Sequence, residues 1–376
     1  MMTESKNRPL WAIGLMSGTS LDGVDVALIQ TDGERVLALA ESLTLPYSAS
    51  ERADLFTCLE GTGDVEASSR MLALRHGEAV EALLSKSAIK REEVGLLGFH
   101  GQTIFHAPEQ RKTVQIGDAA LLANQTGISV IHDFRSRDVA AGGQGAPLVP
   151  LYHAALWRSG FFDAPLGAAG LSRDSALAVL NIGGVANITY LDSQHIIACD
   201  TGAGNALIDD WVHRHTGLAC DEGGKIAAAV APSDGVLEQL LAHPFFAVAP
   251  PKSLDRNAFA KFAAPLIEPM ELGVGAATLT AFTAASIARI IPHLPAPPQL
   301  WLLAGGGRHN PTLMHEIKKR LFNVVPIEDA GLNGDALEAQ AFGFLAVRSL
   351  YGYPLSLPTT TGVPEPMTGG VLVKAE

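Results

Sequence analysis

Gly14-Leu15-Met16-Ser17-Gly18-Thr19-Ser20-Leu21-Asp22-Gly23-Val24-Asp25-Val26-Ala27-Leu28-Ile29 is the stretch on which the reading of the chain turns. Apolar runs from Trp11 to Leu15 and from Val24 to Ile29 predict two short strands, and Ser17 to Gly23 supplies the turn-forming residues of a tight hairpin between them. Glycines let the backbone approach a ligand closely and point successive N–H groups at it. The hydroxyls of Ser17, Thr19 and Ser20 add donors, so the turn suits an oxyanion such as phosphate. The Gly-Lys-Ser/Thr ending of a Walker loop is missing and a strand follows instead of a helix, which argues against that fold. An ordinary Gly/Ser/Asp turn is the plain alternative.

The plan recurs further on. Ala176 to Leu191 again reads as strand, glycine turn (Gly183-Gly184) and strand, and each hairpin opens a block of alternating strands and helices. A duplicated α/β fold follows as the expectation. Predicted strands include Val36–Leu45, Val94–Phe99, Thr113–Ile116 and Leu300–Ala304, and predicted helices include Val65–Lys86, Asp118–Gln125, Ala206–His215 and Asp335–Tyr351.

With 376 residues, the chain exceeds one small core, and roughly 150 residues per domain suggests two domains. A net charge of −12 argues against nucleic acid as the main partner, since phosphate backbones are met by clustered Lys and Arg. Cys58, Cys199 and Cys220 show no paired spacing, so neither a disulfide framework nor a zinc knuckle is expected, and the chain reads as reduced and cytoplasmic. The apolar run after Lys6 and Arg8 is broken by Ser17-Gly18, too soon for a signal peptide. Leu272 to Ala288 is uncharged but repeats at helical spacing (Leu279, Phe282, Ile287), which predicts a buried helix over a membrane span.

Several polar groups stand where α/β sheets present ligands, at the carboxyl ends of strands. His100-Gly101-Gln102-Thr103 reads as a loop after the strand ending at Phe99. Asp133 to Leu148 reads as a flexible crossing between domains, and its Arg135 and Arg137 suit a carboxylate. Asp200-Thr201-Gly202-Ala203-Gly204-Asn205 puts a carboxylate beside glycines and a helix N-terminus; catalysis and a mere helix cap are both open to Asp200. Gly305-Gly306-Gly307 follows an apolar strand and suits a flat ligand such as a purine.

Taken together, these loops are similar to those of the actin, hexokinase and sugar-kinase superfamily. Met16 to Gly23, His100 to Thr103, Asp138 to Leu148 and Asn181 to Gly184 more closely resemble the bacterial anhydro-N-acetylmuramic acid kinases, over nearly the whole chain. The resemblance implies a two-domain actin/hexokinase-like (ribonuclease H-like, duplicated) α/β fold with nucleotide in the interdomain cleft. It implies an N-terminal domain over 1–140 with the first phosphate loop, a C-terminal domain over 141–354 with the second phosphate and adenosine loops, and a tail, 355–376, packed back on the first.

The implied reaction is ATP-dependent opening of the 1,6-anhydro bridge by water with phosphorylation of O6, giving N-acetylmuramic acid 6-phosphate and ADP, in peptidoglycan recycling. Asp200 would be the base; Gly18, Thr19, Ser20, Leu21, Asp22, Gly23, Val24, Asp25, Gly183, Gly202, Gly305, Gly306 and Gly307 would hold ATP. His100, Gln102, Arg135, Arg137, Gln144 and Glu338 are candidates for the sugar. Mg²⁺ is implied with no ligand assigned beyond Asp22 as a candidate, and a homodimer without nucleic acid or membrane partners is expected. Two departures from the family pattern stand out: Ala203 in the second loop, and the charged Arg308-His309 after the adenosine glycines. Rival expectations are a kinase acting on an ordinary sugar hydroxyl, an actin-like or chaperone-like ATPase, and a sugar sensor without turnover.

Overall fold

A computed structural model describes residues 7–18, 20–254 and 256–376; Thr19 of the first glycine hairpin lies outside them. The chain divides into two compact units, Met1–Gly160 with Ala336–Glu376, and Phe161–Asp335. The sequence reading had put the divisions at 140/141 and 354/355.

In the first unit, β1 (Leu10–Ser17), β2 (Gly23–Thr31) and β3 (Val36–Pro46) form an antiparallel meander. β4 (Val94–Ala107) runs parallel to β1 on its other side, β5 (Lys112–Ile116) folds back on the far half of β4, and β6 (Val130–His132) extends the sheet in parallel. The last strand, Val371–Val373, pairs antiparallel with β6, so the end of the tail belongs to this sheet.

β1 is buried on both faces. Ile13 and Leu15 join a core with Leu72, Val80 and Leu83 of the helix Val65–Leu84, which starts at an Asp64 cap. On the opposite face, Gly14 and Gly98 lie directly against the helix Leu337–Leu350, with no room for a side chain between them and the backbone of Ala339 and Phe342. Strict alternation along β1 thus serves two different helices.

The second unit repeats the order. β7 (Leu177–Ile182), β8 (Val185–Leu191) and β9 (Ile196–Ala203) form a meander, with β10 (Leu300–Ala304) and β11 (Val324–Pro326) added in parallel beyond β7. With β5 set aside as a hairpin strand on β4, the first sheet runs β3-β2-β1-β4-β6 and the second β9-β8-β7-β10-β11, so the same five-strand plan recurs and the predicted duplication is present in the hydrogen bonding. The helix Leu272–Ala288 is apolar all round because it is enclosed. Ala284 and Ile287 meet the core of the second sheet, while Leu279 and Phe282 meet Trp211 and Phe259.

Three local expectations are corrected. His100 to Thr103 is not a loop but continues β4, with a bulge at Gly101, whose φ of +70° lets β4 shift register against β1. Asp133 to Leu148 is not a flexible crossing: it contains the helix Ser136–Ala140 and buried Asp138 and Val139, and lies wholly in the first unit. The sequence from Phe161 to Arg173 also reads as a loop, having no periodicity, but it includes the helix Asp163–Ala168.

Since a methyl at position 14 would collide with the backbone of Ala339 and Gly343, Gly14→Ala is expected to destabilise the protein by about 3 kcal/mol or more. Thermal unfolding checks it. An unchanged melting temperature would show that this helix does not sit on the strand as described.

Candidate active site

In the second unit, the carboxyl ends of the parallel neighbours β7 and β10 carry the two glycine segments side by side, with Asn181 paired to Ala304. Gly305, at φ +76°, and Gly307 pack against Asn181 and Ile182 with no space for a Cβ. Asn205, which the sequence reading passed over, donates from Nδ2 to the Ile182 carbonyl at 3.3 Å and so spans the two segments. The amides of Gly204, Asn205 and Ala206 bond to the carbonyls of Gly183 and Gly184. These three amides at the start of the helix Ala206–Thr216 are already engaged.

Asp200 lies within β9 opposite Asn187, so it is not the helix cap; Asn205 holds that position. Gly202 follows on the same strand, pressed against Ser286 of the buried helix. Asp200 is largely buried. Its Oδ2 accepts the Leu254 N–H at 2.8 Å, and its own N–H donates to the Lys252 carbonyl at 3.0 Å. Burial pushes its pKa up to about 6, against the opposing pull of the Leu254 N–H and the Lys252 charge. Lys252 donates to the Phe245 carbonyl at 3.0 Å and stands 4.4 Å over that ring. Pro250-Pro251-Lys252-Ser253-Leu254 belongs to a Pro-, Lys- and Arg-bearing stretch, Phe245 to Lys261, whose sequence reads as surface or cleft lining; its contact with Asp200 arises only through the fold.

The charge after Gly305-Gly306-Gly307 also has a structural account. The Arg308 side chain is 3% exposed and forms ion pairs with Glu328 and Asp335, each at 2.9 Å, while Nη1 donates to the Gly305 carbonyl at 2.9 Å. It is a clamp on the glycine turn.

In the first unit, the hairpin tip closes with the Leu21 N–H donating to the Gly18 carbonyl at 3.2 Å, Leu21 adopting φ +57°. Leu21 and Val24 are buried in the core, whereas Ser20 and Asp22 are exposed. Gly23 packs against the Leu45 backbone, and Asp25 accepts the Thr44 hydroxyl at 2.5 Å. Arg52, also missed, donates to the Leu21 carbonyl at 3.1 Å and lies 3.9 Å from Asp22. Ser17 was expected to offer its hydroxyl to an anion, but it is buried and donates to Gln102 Oε1 at 2.6 Å while accepting from Tyr47 at 2.8 Å. Gln102 is fully buried in that network.

Beyond β4, Arg135 donates from Nε to His100 Nε2 at 2.9 Å and from Nη1 to the Gly145 carbonyl at 2.5 Å. An arginine only donates, so His100 Nε2 is unprotonated, and Nδ1 carries the proton to the Gly101 carbonyl at 2.7 Å. Burial, then the Arg135 charge, holds His100 well below the usual imidazole range, keeping it neutral. Glu338 opens the helix Leu337–Leu350 and keeps solvent-accessible surface, yet its surroundings raise its pKa by desolvation; Arg135 lowers it and Asp25 raises it. Arg137, by contrast, is exposed and donates to Thr368 at 2.7 Å, apart from this group. Gln144 is tied by its N–H to the Thr361 carbonyl at 2.7 Å.

Two copies of this five-strand order, each with a glycine hairpin between its first strands, define an actin/hexokinase-like protein. The anhydro-N-acetylmuramic acid kinase family model matches residues 10–375. A relative of that name from Nitrobacter winogradskyi is 50% identical over 377 residues, covering 96% of this chain and 99% of its own. Another from Paramagnetospirillum magneticum is 51% identical over 361 residues, with 96% and 98% covered. The chain belongs to the anhydro-N-acetylmuramic acid kinase family and is a kinase. Looser likenesses include a ROK family glucokinase from Streptomyces griseus in complex with glucose and AMPPNP (14% identity, TM-score 0.39, covering 89% of this chain and 99% of that one). The activator of the 2-hydroxyisocaproyl-CoA dehydratase from Clostridium difficile is similar at 11% identity and TM-score 0.41, over 91% and 97%.

Arg308→Ala leaves the Gly305 carbonyl and two carboxylates without their cation. We expect the KM for ATP to rise about tenfold or more, a hydrogen bond to a charged group being worth about 1.5–3 kcal/mol. Steady-state kinetics check this, and an unchanged KM for ATP would remove the clamp from nucleotide binding.

Proposed function

We propose that the protein uses ATP and water to open the 1,6-anhydro bridge of anhydro-N-acetylmuramic acid, giving N-acetylmuramic acid 6-phosphate and ADP. The observation that carries the mechanism is the buried Asp200 carboxylate, raised to about 6, at the edge of a glycine-walled group of strand ends. A base tuned toward neutrality accepts a proton more readily than an ordinary aspartate of pKa about 4. Asp200 takes a proton from the water as its oxygen bonds to C1. The C1–O6 bond breaks, O6 bonds to the γ-phosphorus, and the bond to the ADP oxygen breaks. No second carboxyl is needed as acid, because phosphorus captures the departing oxygen.

The remaining residues bind and orient. Backbone groups of Gly18 to Asp25, Thr19 included, take the phosphates, as do Gly183 and Gly202 from the second unit; Gly305 to Gly307 give a flat seat for the purine. Arg135, held rigid by neutral His100, meets the lactyl carboxylate. Gln102 acts by fixing Ser17 beneath the hairpin, Gln144 bonds the sugar, and Glu338 reaches its hydroxyls. Arg137, exposed and bonded to Thr368, is a second cationic candidate for the lactyl carboxylate.

Mg²⁺ typically needs one or two carboxylates beside phosphate oxygens and water. The hard oxygen donor of Asp25, whose charge acts on Glu338, fits this better than Asp22, which lies beside Arg52. The ion would neutralise the phosphates. Family membership supports a role in recycling cell-wall amino sugars and, with the acidic surface, a cytoplasmic homodimer without nucleic acid or membrane partners.

Asp200→Asn is expected to keep ATP binding while turnover falls by at least ~10²-fold. In the parent, kcat/KM should climb with pH and level off above about 6, because the carboxylate is the active form. A raised pKa also means the charged carboxylate destabilises the fold, increasingly as pH climbs from the unfolded value toward about 6. At pH 8, Asp200→Asn should therefore melt at a higher temperature than the parent, and at acid pH below the unfolded value that difference should close. Near-normal turnover by the variant would remove Asp200 from the base role.

A further inference from the structure

Asp138 holds a carboxylate that the reaction above does not use. It is 2% exposed, in the short helix after Arg135. Its Oδ1 accepts the Gly145 N–H at 2.6 Å. Its Oδ2 accepts the hydroxyls of Ser356 and of Thr361, the latter at 2.6 Å. All three partners donate, which suits an acceptor-only group and would not suit an amide in the same place. Buried charge persists only when so satisfied.

What these bonds hold is informative. Gly145 sits at φ +69°, with Val139 too close for any Cβ, and in that conformation its carbonyl meets Arg135 Nη1. Ser356 and Thr361 belong to the C-terminal tail, and the Thr361 carbonyl takes the Gln144 N–H. Val363 of the same tail packs on Gly143. One carboxylate thus gathers the glycine turn and the tail beneath Arg135 and Gln144.

We propose that Asp138 is a positioning residue which, with Ser356 and Thr361 of the tail, presets Arg135 and Gln144 to receive the sugar. This rests on the reading of Arg135 as the group that meets the sugar's carboxylate. The tail is then part of the sugar site without touching the sugar, and it acts on sugar affinity more than on ATP.

Removing Asp138 outright strands three donors and endangers folding, so the test falls on Thr361. Thr361→Val keeps the shape and deletes the hydroxyl; Thr361→Ser keeps the hydroxyl. With Mg-ATP and anhydro-N-acetylmuramic acid, Thr361→Val should raise the sugar KM about tenfold, leave kcat and the KM for ATP within about twofold, and Thr361→Ser should stay near the parent. Equal sugar KM in all three proteins, or equal impairment of both variants, overturns the proposal. Arg135→Ala separates it from the reading beneath it. A raised sugar KM in Arg135→Ala with none in Thr361→Val sinks the positioning role alone, whereas no change in Arg135→Ala sinks the reading of the site and the proposal together.

Discussion

The close seating of the helix Leu337–Leu350 on the glycine face of β1 and β4 is the contact on which the first unit depends. At Gly14 and Gly98 the missing side chains let the strand backbone meet the backbone of Ala339 and Phe342, and Gly343 faces Gly14 across the same contact. This brings a segment from near the end of the chain onto its first strand. Glu338 is delivered beside Arg135 and Asp25, and the residues after the helix return along the same unit to pair with β6. These three glycines, which lie inside predicted strands and a predicted helix and not in turns, are matters of space.

Charge is managed differently in the two units. In the second, Asp200 accepts one backbone N–H and feels a lysine that is itself engaged elsewhere, so burial prevails and its pKa rises to about 6. In the first, Asp138 is given three donors, and Arg135 is held between a neutral imidazole and a carbonyl. An under-satisfied carboxylate is reactive and a fully satisfied one is structural. The same residue type therefore serves opposite ends according to how many donors reach it.

Much of this was legible in the chain. The two glycine hairpins, and the alternation that follows each, gave the duplication, because strand period and turn chemistry are local properties. Asp200 was legible as a carboxylate beside glycines. Its environment was not: Lys252 and Leu254 reach it from a Pro-rich segment without periodicity. Ser17 read as a phosphate donor, since nothing local reveals that Gln102 and Tyr47 would claim its hydroxyl. The segment from Asp133 to Leu148 read as a flexible crossing because its charges and glycines look solvated; its anchors, Ser356 and Thr361, lie far along the sequence. Arg308 read as surplus charge for the same reason, its partners Glu328 and Asp335 being set by the fold.

The account's central claim is that water attacks the sugar carbon as phosphate is transferred to the oxygen it displaces. Mass spectrometry of the sugar product formed from anhydro-N-acetylmuramic acid and Mg-ATP in ¹⁸O-water tests it most directly. The account predicts that ADP forms and that the product gains one phosphate and one ¹⁸O at the anomeric carbon, at early times, before anomeric exchange. Phosphorylation only of a reducing sugar, with no ¹⁸O beyond ordinary exchange, would contradict it.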